Sequence, residues 1–139
     1  MTLAERDQLL TLLDAFHEQT VLVVGDFVAD EFVAGEISRV SREAPVLILR
    51  HRETHLVPGG GANAVNNLVD LGARVVPVAA VGNDEAGRAL VRYFRRKRVD
   101  LSSVERVPGW TTATKSRFLA GWTHTTRQQV LRVDRLNPE

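Results

Sequence analysis

Three consecutive glycines, Gly59, Gly60 and Gly61, follow Pro58 and open an apolar run at helical spacing that ends at Leu71-Gly72. Without a Cβ the chain can turn sharply there and let a ligand touch the backbone, while the free N–H groups of the following helix point outward. Hydroxyl or phosphate oxygens suit such a site, and the helix macrodipole adds a modest attraction for negative charge. A flexible loop would use the same residues, so the choice between a built site and a plain turn rests on the surroundings.

Those surroundings alternate between helix-like and strand-like segments. Residues 2 to 18 place Leu9, Leu12, Leu13 and Phe16 at helical spacing, with Glu5, Arg6, Asp7 and Asp14 off that face. This predicts an amphipathic leading helix whose role is packing. Val21-Leu22-Val23-Val24 reads as a strand buried on both faces, closed by Gly25-Asp26. In open α/β sheets ligands bind beyond the carboxyl ends of the strands, which puts Asp26, and Asp30 four residues on, where a ligand would be. Residues 31–35 and 45–52 read as paired strands joined by the polar stretch Ser38-Arg39-Val40-Ser41-Arg42.

After the glycines, Ala62, Val65, Leu68 and Val69 mark a helix, and Val75 to Val81 is another strand. Asn83 or Asp84 caps the next helix, which buries Ala86, Ala89, Leu90, Tyr93 and Phe94. Residues 99–107 hold a short strand, and Pro108-Gly109 is a turn. Residues 112–120 and 128–133 form a hairpin around Gly121-Trp122-Thr123-His124, and its first strand projects Lys115 and Arg117 from one face. The alternation as a whole predicts an α/β domain.

At 139 residues the chain suits one domain or one lobe of something larger. A formal net charge of +1 predicts no general affinity for nucleic acid. The arginines and lysine from Arg92 to Arg98 read as a solvated helix end favoured by the dipole. With no cysteine, disulfides, thiolate metal sites and a cysteine nucleophile are all excluded. No apolar run reaches the roughly 20 residues of a membrane span, and Glu5 and Asp7 stand where a signal peptide would be basic. The expectation is a cytoplasmic protein without membrane partners.

Two acids near one strand end, an asparagine in the first turn of the glycine helix, and cationic strand residues suit a polyhydroxylated, phosphorylated molecule. Carboxylates and the Asn63 amide match hydroxyls, and Lys115 and Arg39 match phosphate. His51 and His55 have the spacing of a helical metal pair but fall on a predicted strand, four residues or about 13 Å apart, so no metal site is expected. No Gly-Lys-Ser or Gly-Lys-Thr phosphate loop occurs, and no general acid–base pair is visible. Gly59-Gly60-Gly61-Ala62-Asn63-Ala64 also fits the G-x-G-x-x-A dinucleotide fingerprint, with Asp84 about 20 residues later. A true fingerprint follows the first buried strand, whereas here that strand is Val21 to Val24.

Val21 to Asp26 with Asp30, Pro58 to Asn63, and Val81-Gly82-Asn83-Asp84-Glu85-Ala86-Gly87 together resemble the N-terminal half of the ribokinase, or PfkB, family of sugar kinases. Within it, Ser38-Arg39-Val40-Ser41-Arg42-Glu43-Ala44-Pro45-Val46, Thr114-Lys115 and Gln128 to Asp134 look like the group acting on D-glycero-β-D-manno-heptose 7-phosphate. Kinases of that group often form the first domain of a bifunctional heptose kinase and adenylyltransferase. The resemblance implies the N-terminal portion of one ribokinase-like domain over residues 1–139, a three-layer α/β/α sandwich with a small β lid. The leading helix would span 1–19, and 31–52 and 112–133 would supply the lid strands.

By motif match Asp26 and Asn63 would hold sugar hydroxyls, Gly59 and Gly60 would let the sugar approach the backbone, and Asp30 and Ser38 would join the substrate-binding set. Lys115 with Arg39 would be candidates for the 7-phosphate. The implied reaction moves the γ-phosphoryl group of ATP, with Mg2+, to the anomeric hydroxyl, giving a heptose 1,7-bisphosphate for lipopolysaccharide precursors. The implied partners are a sugar phosphate and a second copy joined through the lids. The family's Gly-Ala-Gly-Asp segment, which supplies base and anion hole, does not occur in this sequence. No catalytic residue is therefore assigned, and the nucleotide site is expected largely outside these residues. A non-catalytic sugar-phosphate-binding module, and a family kinase for fructose 6-phosphate, ribose or a nucleoside, are the alternative readings. Exposed sheet surface and self-association are expected of the chain alone.

Overall fold

The computed structural model describes residues 2–122 and 124–137. Its elements in order are α1 (Leu3–Asp14), a 3-10 turn (Ala15–Glu18), β1 (Thr20–Val24), β2 (Phe27–Val40), β3 (Leu47–Gly60) and α2 (Gly61–Asp70). There follow β4 (Arg74–Gly82), α3 (Glu85–Arg96), β5 (Val104–Val107), β6 (Ala113–Gly121) and β7 (Gln128–Arg135). They make two sheets. One is parallel, in the order β1-β4-β5, and the other has the order β3-β2-β6-β7.

Hydrophobic spacing explains the first sheet and its helices. β1 and β4 pair from Thr20↔Arg74 to Val24↔Val78. One face of the pair, Val23 with Val75 and Val81, joins the core of Phe27, Ala29, Ala62, Val65, Leu90, Val91 and Phe94. Phe27 and Phe94 meet with ring centroids 5.5 Å apart, an aromatic contact that ties the second sheet to α3. α3 starts at the Asp84 cap predicted from sequence, and its carboxylate accepts from the Gly87 amide.

The expected burial of β1 on both faces does not hold. Leu22 is 62% and Val24 72% exposed, because α2 and α3 cover only one face of this sheet. Two of the three expected layers are thus present among the described residues. The leading helix forms, with a Thr2–Glu5 capping box, yet none of its residues is buried, so its expected packing role is corrected too. A segment this short holds little helix on its own in water, so α1 rests on its cap rather than on a core.

The second sheet is the lid. β2 and β3 form a long antiparallel ribbon from Phe27↔Gly60 to Val40↔Leu47, with register shifts at Ala34/Gly35 and Ile37/Arg39. The ribbon is longer than the strands predicted at 31–35 and 45–52, and Ser38, Arg39 and Val40 belong to β2 rather than to a loop. β6 joins β2 in parallel, and β7 pairs antiparallel with β6 as the predicted hairpin, whose Thr123 lies outside the described residues.

Candidate functional site

The glycine run is held by the strand before it as much as by the helix after it. Gly59 and Gly60 end β3, and Gly60 has φ +55° and ψ −132°, a conformation that needs glycine. The Gly61 amide donates to the Asp26 carbonyl at 2.8 Å. A Cβ on Gly60 would lie 2.9 Å from Val28 Cγ2 and 3.0 Å from the Asp26 carbonyl oxygen, and one on Gly61 equally close to that oxygen. The β1–β2 turn and the start of α2 therefore press backbone against backbone, and this contact brings Asp26 to the glycines. A plain flexible loop is excluded, since its residues are fixed on both sides.

Around this contact Asp26 and Asn63 are both exposed, Asn63 in the first turn of α2. Asp30 is half-buried on the lid face above Gly59, where a Cβ would run into the Asp30 carboxylate. Asp30 has Val57 and Lys115 as its cross-strand neighbours. The structure thus gathers Asp26, Asp30, Gly59, Gly60, Asn63 and Lys115 at one end of the molecule, where the core sheet meets the base of the lid.

Ser38 and Arg39 are not brought there. They sit eight and nine residues beyond Asp30 on β2, about 30 Å of extended chain. The Ser38 hydroxyl donates to the Ile48 carbonyl at 2.9 Å beside the register shift, and Arg39 borders an open cleft of about 480 Å³ with Ser41, Arg42, Glu43 and Ile48. The sequence pattern could not show this, because it did not reveal how far β2 runs.

Two contacts escaped the sequence reading. Arg117 Nη1 donates to Asp30 Oδ1 at 2.5 Å, with the Phe32 ring 5.3 Å from the guanidinium. The signal available was only that Lys115 and Arg117 share a face. The second is a knot at the end of β4. Asp84 accepts from the Thr112 amide at 2.7 Å and from its hydroxyl at 2.8 Å, and the same hydroxyl accepts from the Gly82 amide. Burial pushes the Asp84 carboxyl up, but the hydrogen bonds from Gly87 and Thr112 outweigh it and hold the group below the usual range. The knot ties the core sheet to β6 three residues before Lys115.

With Asp84 so engaged, and the glycines ending an antiparallel lid strand, the geometry departs from a dinucleotide fingerprint. His51 bonds Thr54 and His55 bonds Glu53, each on β3. Among the described residues no group of three or more His, Asp or Glu side chains could hold a metal ion, and no helix is long and apolar enough to cross a membrane.

Comparison with known proteins agrees with this layout. Residues 18–127 match the model of the pfkB family carbohydrate kinases. The bifunctional protein HldE of Mesorhizobium japonicum is 44% identical over 86% of this chain and 23% of the relative. That of Geobacter metallireducens is 39% identical over 94% of this chain and 26% of the relative. The chain spans about a quarter of the length of these curated relatives. Among solved structures, a carbohydrate kinase from Agrobacterium tumefaciens superposes with a TM-score of 0.57 at 24% identity, over 84% of this chain and 35% of that one. A ribokinase from Cryptococcus neoformans in complex with ADP gives 0.54 at 21%, over 81% and 34%. These neighbours share the ribokinase-like α/β fold, and with a family model covering most of its length the chain belongs to the pfkB family of carbohydrate kinases.

Proposed function

We propose that this chain is the sugar-binding portion of an ATP-dependent kinase that phosphorylates the anomeric hydroxyl of a heptose 7-phosphate. The observation that carries the reading is the convergence of Asp26, Asn63 and Asp30 around the Gly59-Gly60 backbone with Lys115 alongside. The choice of sugar rests on the resemblance of the segments Ser38 to Val46, Thr114-Lys115 and Gln128 to Asp134 to the heptose 7-phosphate group. In this reading Asp26 and Asn63 orient sugar hydroxyls from the core side, the glycines admit the ring to van der Waals contact with backbone, and Asp30 with Lys115 closes the site from the lid.

Mg-ATP supplies the phosphoryl group in the complete enzyme. Among the described residues no group of three or more His, Asp or Glu side chains could hold a metal ion, and the first amide of α2 donates to the Asp26 carbonyl. The roles assigned to this chain are accordingly those of binding and orientation. The lid's apolar face, with Val46, Leu47, Leu49, Phe118, Val130 and Leu131 around a groove of about 470 Å³, supports pairing of two copies through their lids.

Calorimetric titration with D-glycero-D-manno-heptose 7-phosphate, fructose 6-phosphate, ATP and NAD tests the reading. Selective binding of the heptose phosphate, lost in Asn63→Ala, is the expected result. Preference for fructose 6-phosphate would transfer the chain to another family specificity, and binding of NAD alone would sink the kinase reading.

A further inference from the structure

We propose that α3 carries a docking surface for an acidic polypeptide segment of a partner protein, anchored by one apolar side chain in the groove between Leu56 and Tyr93. The surface leads away from the sugar site. As the crossover from β4 to the parallel β5, α3 runs back from the carboxyl end of the core sheet, where the glycine turn lies, to its amino end.

Charge is unevenly divided in this chain. Residues 85–98 hold Arg88, Arg92, Arg95, Arg96, Lys97 and Arg98 against one acid, Glu85, a net +5 in a chain of net +1. Glu85 is shared by Arg88 and Arg92, and the neighbouring Asp70 of α2 is taken by Lys97. The side chains of Arg95, Arg96 and Arg98 make no hydrogen bond or ion pair among the described residues. The helix dipole favours cations in the last turn, which accounts for Arg95 and Arg96 but not for a stripe that begins at Arg88.

Shape adds to charge. Arg88, Arg92 and Arg96 recur at every fourth residue and so follow one side of the helix for about 12 Å. Beside them an open groove of about 260 Å³ is lined by Leu56 of β3 and by Ala89, Arg92, Tyr93 and Arg96 of α3. Its apolar wall is fixed in place: the Tyr93 hydroxyl donates to Asn66 Oδ1 at 2.8 Å, and the Lys97 ammonium stands 5.3 Å from the ring centroid. Arg92 gives one nitrogen to Glu85, and Arg96 keeps all of its donors, so carboxylates flanking an apolar anchor would find charge-assisted hydrogen bonds.

Charge complementarity and the recess together select the partner. A row of guanidinium groups beside one small apolar groove matches an acidic segment with a single apolar anchor, in the manner of arginine clusters that read acidic motifs. A single-stranded nucleic acid would stack a base on the aromatic ring, but Lys97 already stands over Tyr93. An anionic bilayer takes apolar side chains that project, whereas this apolar surface is recessed between β3 and α3.

The test uses the whole chain labelled with 3-fluorotyrosine, which marks Tyr93 alone because the sequence has a single tyrosine. Wild type, Arg95→Glu, Arg96→Glu and Arg106→Glu are titrated with a fluorescent oligoglutamate carrying one central Phe, and wild type also with the same peptide carrying Ala in that place. All three arginines are exposed, so reversing their charge leaves the core untouched, and Arg106 on β5 repeats the change of net charge away from α3. The Phe peptide is expected to bind and to shift the Tyr93 fluorine resonance, and the Ala peptide to bind more weakly. Arg95→Glu and Arg96→Glu are expected to weaken binding about tenfold, and Arg106→Glu less than about twofold. Absence of binding, or equal weakening by Arg106→Glu, overturns the surface, and equal affinity for the two peptides overturns the anchoring in the groove. Tighter binding of oligothymidylate, or of vesicles of phosphatidylcholine and phosphatidylglycerol in equal parts, lost in Arg96→Glu, overturns the choice of an acidic polypeptide.

Discussion

At the scale of single residues, the glycine turn is the point at which sequence and geometry meet most closely. The need for glycine at Gly60 comes from its positive φ and from the 2.9 Å and 3.0 Å approaches that a Cβ would make. Replacing Gly60 by Ala is expected to cost about 1–3 kcal/mol, since strain and contact act together. Urea unfolding of the variant against wild type measures it. The glycine turn and the helix it opens were legible because short-range spacing carries them. The Asp30–Arg117 pair was not, since its partners are 87 residues apart and only the register of β2 on β6 brings them together. The distance of Ser38 and Arg39 from the glycine turn was hidden for a related reason, because the length of β2 and its two register shifts leave no trace in local pattern.

Among the elements, α2, α3 and β4 follow from apolar spacing and caps, and each lies within a residue or two of its expected span. β1 and α1 show what spacing omits. An apolar run states that faces will be covered, not by which residues, and here Leu22 and Val24 have no cover from the described ones. The junction of α3 with β6 gives a pH-dependent prediction. Because the folded Asp84 carboxyl sits below its usual range, its stabilisation is complete above the unfolded value near 4 and is lost as pH falls through the folded value. Asp84→Ala is therefore expected to cost about 1–2 kcal/mol at pH 7, with the difference from wild type narrowing below pH 4. Urea denaturation curves between pH 3 and 7 check this, and a difference independent of pH would remove Asp84 from the account.

For the molecule as a whole, the fold class and the division into core sheet and lid were readable, whereas the third layer is not present among the described residues. The proposed pairing of lids gives a simple expectation. Leu131 is 54% exposed at the centre of the apolar groove, so Leu131→Glu changes no core contact yet places a charge where a second copy would dock. Sedimentation is expected to show dimers of wild type and monomers of the variant, with the thermal midpoint of each chain little changed. Equal mass for both would argue against this face.

The strand order β3-β2-β6-β7 also sets a timetable. β2 and β3 are neighbours in sequence and can pair as soon as Gly60 has been made, but the other edge of β2 waits for residues 113–121. At about 5–20 residues per second that interval lasts several seconds on the ribosome. Throughout it the nascent ribbon presents an open hydrogen-bonding edge, so the passage of this chain through synthesis depends on keeping other strands away from β2 until its own partner arrives.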